Sequence, residues 1–187
     1  MLVHGAEICL KSRVLAVILL LGCWLSVSAH AQSTQISRAK ALMEGTWQLD
    51  EWVVEGEALK PPQADGRLSQ HNGVIMIMMS WSRPSLRKFF YGYGTYSFTE
   101  SAWSYEYDRY VAFADEDGKV TLSERGAAER STRAGFEGRR IYQMTFDGER
   151  LILEHESGQR QLIFEGDVFS YIEHGKPLRK WRRVTDQ

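Results

Sequence analysis

The chain is almost without cysteine, and the two it has, Cys9 and Cys23, both fall within the first 31 of its 187 residues. That opening stretch places Lys11 and Arg13 before an apolar run over 14–21, which is too short to span a bilayer comfortably. Small residues follow and end in Ala29-His30-Ala31 ahead of Gln32. A basic segment, an apolar segment and an A-x-A site together make a secretory signal. Residues 1–31 are therefore read as a signal peptide, and cleavage after Ala31 leaves 156 residues with no cysteine. Disulfides are then excluded, although an exported protein is free to form them. Thiolate catalysis, cysteine-ligated zinc and iron–sulfur clusters are excluded with them. Stability has to come from a packed core, and 156 residues are enough for one.

Excess charge is lacking too. Lys11, Arg13 and Glu7 leave with the leader, so 21 basic and 23 acidic side chains remain of the 23 and 24 in the whole chain. With no basic stripe, nucleic acid is not an expected partner. Three histidines remain, His71, His155 and His174. In Glu154-His155-Glu156 a strand would point both carboxylates away from the imidazole. There is no H-E-x-x-H and no G-x-S-x-G, and Asp115-x-Asp117-Gly118 lacks the remaining ligands of a calcium loop. No metal, cofactor or catalytic residue is nominated. Glu51, Glu106 and Asp108 are the carboxylates that would act as a general acid if one faced inward.

What is present is strand periodicity. Ser33-Thr34 caps a short helix over 35–44, with Ile36, Ala39, Leu42 and Met43 near one face, and Gly45 stops it. From there the period becomes two. Trp47, Leu49 and Val53 share one face, with Glu51 as a rim charge or the sign of a bulge. Pro61-Pro62 and Asp65-Gly66 read as open loop, and His71-Asn72-Gly73 as a hairpin turn. The run 74–81 is apolar on both faces, so one side lines a core and the other needs cover. Strands follow over 88–99, 101–114 and 119–124, then an aperiodic loop over 125–138. Hairpins over 139–156 and 159–173 and a last strand over 180–184 complete the chain. About nine closely spaced strands with no second helix predict an all-β fold: an antiparallel up-and-down barrel of about 8–10 strands with a short N-terminal helix. The domain organisation is 1–31 signal peptide, 32–44 helix leading into the barrel, and 45–187 barrel.

Gly45-Thr46-Trp47-Gln48-Leu49 resembles the opening of the bacterial lipocalin-like domain family. Trp181-Arg182-Arg183-Val184 is similar to that family's closing strand, and Tyr91-Gly92-Tyr93-Gly94-Thr95-Tyr96 resembles its Tyr-rich middle. The resemblance implies that Gly45, Trp47, Trp181, Arg182 and Arg183 hold the first and last strands together. A cation from the last strand would cover the ring of Trp47, and Arg183 is favoured because it shares a face with Trp181. Likewise Leu20-Leu21-Gly22-Cys23 resembles a lipoprotein lipobox, although Leu21 fits that pattern poorly. The protein is expected in the periplasm or secreted, with a lipid anchor at Cys23 as the alternative and no stable membrane insertion otherwise.

The stretch 81–113 is dense in Trp, Tyr and Phe, whose apolar bodies and polar tips suit a pocket for an apolar ligand with one polar end. Met78, Tyr93, Trp103, Tyr105 and Tyr107 are the expected ligand-binding residues, with Gly92 and Gly94 letting the sheet coil around the space. The function expected is binding or carrying a small apolar or amphiphilic molecule, as a monomer. Two alternatives stand beside it: an isomerase, cyclase or hydrolase using a pocket tyrosine with a carboxylate, and a barrel filled solid that serves as an envelope structure.

Overall fold

The computed structural model describes residues 34–126 and 138–185. The expected signal peptide, its cleavage site and Cys23 lie outside these residues, as does most of the loop expected over 125–138. The chain divides into two compact units, Met1–Arg38 and Ala39–Gln187, and the second holds the barrel.

A single described helix, α1, covers 34–43 and leads into the first strand. Twelve strands follow: β1 Gly45–Val54, β2 Glu57–Leu59, β3 Ala64–His71, β4 Val74–Arg83, β5 Leu86–Phe98 and β6 Ala102–Glu116, then β7 Lys119–Gly126, β8 Arg140–Asp147, β9 Arg150–His155, β10 Arg160–Glu165, β11 Val168–Glu173 and β12 Lys176–Arg183. Ten of them form an antiparallel ring in which β12 returns to pair with β1. Closure leaves the ring without free edges. The other two are appendages: β2 flanks β1, and β7 pairs with the distal half of β6. The all-β barrel expected from the periodicity is thus observed, at the upper end of the expected strand number.

Short hairpins set the register. At the β3–β4 corner Asn72 and Gly73 have φ of 49° and 82°, the pair of left-handed conformations that a two-residue hairpin turn requires. Several boundaries differ from the sequence reading, among them Arg83 within β4, a start of β5 at Leu86 and Arg125-Gly126 within β7. Asp65-Gly66 is paired strand within β3 rather than loop, β2 was not foreseen, and β12 starts at Lys176 instead of residue 180. A register shift between Leu49 and Glu51 interrupts β1. The resulting bulge turns Trp52 into the core in place of Val53, and puts Glu51 outside, 3.7 Å from Lys60. Bulges re-aim every residue beyond them, which is why strict alternation from Trp47 fails after five residues.

One end of the barrel is closed by the last turn of α1. Ala39 and Met43 are fully buried there, and Trp47 donates from its indole Nε1 to the Met43 carbonyl at 3.0 Å. Edge-to-face contacts join Trp47 to Phe164 and Phe169, with centroids 5.7 and 5.0 Å apart, and Phe169 stacks on Trp181 at 5.5 Å. Above them Arg183 lies 4.3 Å from the Trp47 ring and donates to the carbonyls of Glu44, Leu42 and Ala41 at 2.6, 2.7 and 3.3 Å. These carbonyls are the ones a helix end leaves without intrahelical partners, and a cation suits them electrostatically. Arg182, on the other face, reaches Asp50 at 3.5 Å outside the barrel. Gly45 has φ of +142°, and a Cβ there would sit 2.6 Å from the Arg183 guanidinium. Glycine at this position is the space in which Arg183 lies.

Candidate functional site

Inward-facing side chains of the ring do not fill it. A cavity of about 280 Å³ remains inside the barrel. Toward α1 its wall is mainly apolar, formed by Leu68, Ile75, Ile77, Met79, Leu162, Phe164, Phe169 and Trp181, with Gln70 opposite Gly45 as the polar exception. The opposite end is ringed by Tyr105, Tyr107, Tyr110, Tyr142, Tyr171, Arg140, Arg160, Glu173 and Arg179.

Four aromatic residues of this lining, Trp103, Tyr105, Tyr107 and Tyr110, come from β6, and a bulge decides how the last two are aimed. Opposite Tyr93 and Gly94 the register slips by one, so Asp108 has no partner in β5. Tyr107 before the slip and Tyr110 after it therefore both reach the interior. The two glycines of β5 make this possible. A Cβ on Gly94 would lie 1.9 Å from the Glu106 carbonyl oxygen, and one on Gly92 would lie 3.2 Å from the rings of both Tyr107 and Tyr110. Close approach of β6 thus requires glycine here, where coiling of the sheet was the expected reason.

Of the five expected lining residues, three meet in the cavity. Trp103 and Tyr105 lie with ring centroids 4.8 Å apart, and Tyr107 adjoins Tyr105 at 5.4 Å. Met78 and Tyr93 do not. They are 47% and 37% exposed on the outer face, paired strand to strand with Tyr91 and Met76. In an apolar run such as 74–79 no polar residue marks the outer phase, so alternation leaves two choices. The inward choice is Ile75, Ile77, Met79 and Trp81, while Val74, Met76 and Met78 face out. Tyr93 follows from the same geometry, because the inward positions beside it are the two glycines. Glu51, Glu106 and Asp108 do not line the cavity either. Glu106 faces Arg139 at 4.0 Å, and Asp108 is exposed.

Polar groups at the open end form a layer that crosses neighbouring strands. Arg140 on β8 stands opposite Tyr105 on β6, and its guanidinium donates to the Tyr105 hydroxyl at 2.6 Å. Arg160 on β10 stands opposite Glu173 on β11, with Nε 3.0 Å from the carboxylate. The Tyr171 hydroxyl donates to the same carboxylate oxygen at 3.3 Å. Arg179 on β12 stands opposite Tyr171 on one side and Trp52 on the other, with its guanidinium 4.8 Å from each ring. Burial pushes the Tyr171 hydroxyl up to about 12, against the opposing pull of Arg179. Tyr107 and Tyr142 are raised by burial in the same way. All three phenols are neutral donors at ordinary pH.

Three buried polar atoms in the lining have no hydrogen-bond partner, the Gln70 side-chain oxygen, the Trp103 indole nitrogen and the Arg179 Nε. Native proteins leave few such atoms unsatisfied, and those they leave commonly meet a water or a ligand.

The arginines were missed by sequence reasoning, although a signal for them exists. Each stands two residues before an inward apolar residue: Arg140 before Tyr142, Arg160 before Leu162, and Arg179 before Trp181. Period-two alternation run backward from those residues places all three on the inner face. Among the described residues no group of three or more His, Cys, Asp or Glu converges as a metal site would require. The chain matches no family model, no curated protein and no solved structure.

Proposed function

We propose that this chain is an exported, monomeric lipocalin-like protein that carries a small amphiphilic molecule inside its barrel. The observation that carries the reading is the 280 Å³ cavity, mainly apolar toward α1 and polar at its far end. A barrel packed solid by its own side chains would leave no such space, so the envelope-structure alternative loses its main support. The volume is about twice the ~150 Å³ of an apolar cavity that takes up benzene, which suits a ligand of on the order of a dozen non-hydrogen atoms. Apolar walls supply the affinity, and the few polar groups orient the ligand.

Native mass spectrometry of the protein purified from its own host tests this. A retained small molecule, released on unfolding, is the expected result, in a chain beginning at Gln32. A protein without bound ligand that also fails to quench its tryptophan emission with a fluorescent fatty-acid probe would overturn the carrier reading. Recovery of a diacylated Cys23 in the membrane fraction would overturn the soluble export.

A second reading has one specific observation behind it. Glu173 and Tyr171 place a carboxylate beside a phenol within the cavity, the pairing that acid–base chemistry on this scaffold needs. Arg160 already holds that carboxylate, which favours an orienting ion pair over a proton shuttle. Glu173→Gln separates the two: a carrier keeps its apolar probe, whereas an enzyme loses turnover with the probe still bound.

A further inference from the structure

We infer that the open end of the cavity binds an acidic headgroup, a carboxylate, through Arg179, so that the carried amphiphile is a medium-chain organic acid. This rests on the carrier reading and specifies its ligand. Four charged side chains line the cavity, and three of them are arginines. Glu173 is the single carboxylate, and Arg160 takes it at 3.0 Å. Arg140 is engaged by the Tyr105 hydroxyl and ring.

Arg179 is different. Its guanidinium is clamped between the rings of Trp52 and Tyr171, 4.8 Å from each centroid. Its Nε is buried without a hydrogen-bond partner, and the guanidinium enters no ion pair among the described residues. Arg179 as a whole is half-buried, and withdrawing part of a cation from water is costly unless an anion or hydrogen-bond acceptors replace that water. Two aromatic faces replace part of it, yet they accept nothing in the plane of the fork. Clamping also fixes the direction in which that fork points, and a planar carboxylate matches it with two parallel hydrogen bonds. The Tyr107 and Tyr142 phenols line the same cavity and stay neutral, so further donors adjoin the site, while the Tyr171 hydroxyl is given to Glu173. The Arg160–Glu173 pair keeps the neighbouring carboxylate from neutralising Arg179, in the manner of an internal counter-ion kept at its own station.

The cavity's volume and polarity then define the ligand. Its chain lies along the apolar wall toward Trp181 and Phe169, and its carboxylate stays at the Arg179 end. Decanoate is an acid of the right size, and decan-1-ol has the same chain with a neutral head.

Binding of decanoate, decan-1-ol and decyl phosphate to the mature protein is measured by isothermal titration calorimetry at pH 8. Decanoate is expected to bind roughly 10–100-fold more tightly than decan-1-ol, the range that charge-assisted hydrogen bonds give. Arg179→Gln should abolish that preference while leaving decan-1-ol affinity within about threefold, which also shows that the variant folds. Arg179→Lys, which keeps the charge and loses the fork, should retain part of the preference. Equal binding of acid and alcohol to the unaltered protein overturns the headgroup assignment and leaves the carrier reading standing. A preference that survives in Arg179→Gln moves the anion site away from Arg179 and overturns it as well. Tighter binding of decyl phosphate than of decanoate overturns the carboxylate in favour of a phosphate head. Failure of all three probes to bind would instead defeat the carrier reading itself.

Discussion

Gly45→Ala should be among the most damaging single-methyl additions in this protein, and the reason is Arg183. The new Cβ would stand 2.6 Å from the guanidinium nitrogen that donates to the Glu44 carbonyl. The backbone at φ +142° cannot relax into a common conformation either. If Arg183 is expelled, the helix end loses three carbonyl contacts and the Trp47 ring loses its cation at 4.3 Å. Hydrogen bonds to a charged donor contribute about 1.5–3 kcal/mol each when well made. A half-buried cation–π contact adds about 1 kcal/mol. Part of this is recovered when the freed guanidinium meets water, so a net loss of about 3–5 kcal/mol is expected. For a domain of this size that corresponds to a fall in Tm of about 6–20 °C.

Gly56→Ala is the control. Gly56 also has positive φ, at +86°, but a Cβ there meets nothing within 4 Å. Backbone strain alone should cost it about 1–2 kcal/mol. Urea unfolding of Gly45→Ala, Arg183→Ala and the double variant completes a cycle. If the damage works through Arg183, Gly45→Ala becomes mild, at about 1–2 kcal/mol, once Arg183 is gone. Full additivity of the two substitutions would refute the reasoning, as would equal losses at Gly45 and Gly56.

Three further outcomes are expected. Absorbance at 295 nm during alkaline titration should show Tyr96 and Tyr171 ionising near pH 12, with Tyr107 and Tyr142 later still. Because these folded-state values lie above the ordinary tyrosine value of 10, their contribution is complete below pH 10 and is lost as pH rises from 10 toward 12 and beyond. The melting temperature should therefore fall in that window, and a flat profile would contradict the burial. Gln70→Leu removes a buried oxygen that has no partner and should stabilise the ligand-free protein by about 1 kcal/mol in urea unfolding; a loss of the same size would mean that the oxygen is satisfied in solution. Met78→Lys and Tyr93→Lys, on the outer face, should change stability by less than about 0.5 kcal/mol and leave probe affinity unchanged.

The sequence carried the fold further than it carried the site, for a physical reason. A closed antiparallel barrel is written in quantities that are local: hairpin turns such as Asn72-Gly73, alternation such as Leu151, Leu153 and His155, and a glycine before the tryptophan that opens β1. The pairing of Trp47 with Arg183 was legible because both lie within a few residues of a strand boundary with no bulge between. Where a bulge intervenes, legibility ends. Trp52 goes inward because β1 slips after Leu49, and Tyr110 goes inward because β6 slips at Asp108. The β1 slip is marked only by Glu51 at a position that alternation would turn inward, and the β6 slip only by the glycines on the facing strand.

Met78 and Tyr93 failed for the opposite cause, since both faces of β4 are apolar and a pattern without contrast has no phase. The arginines failed for a third. Charged residues at strand starts read as surface, and Arg179 lay beyond a strand thought to begin at residue 180. Burial of such a residue is the exception that chain-wide patterning cannot announce, because it depends on partners from other strands: Tyr105 for Arg140, Glu173 for Arg160, and two aromatic rings for Arg179. That same dependence makes Arg179 informative. The other two arginines are half-buried against hydrogen-bond acceptors that the chain supplies, whereas Arg179 has none among the described residues. One cation without an acceptor among the described residues, at the end of a mainly apolar cavity, is the feature on which the proposed acid ligand rests.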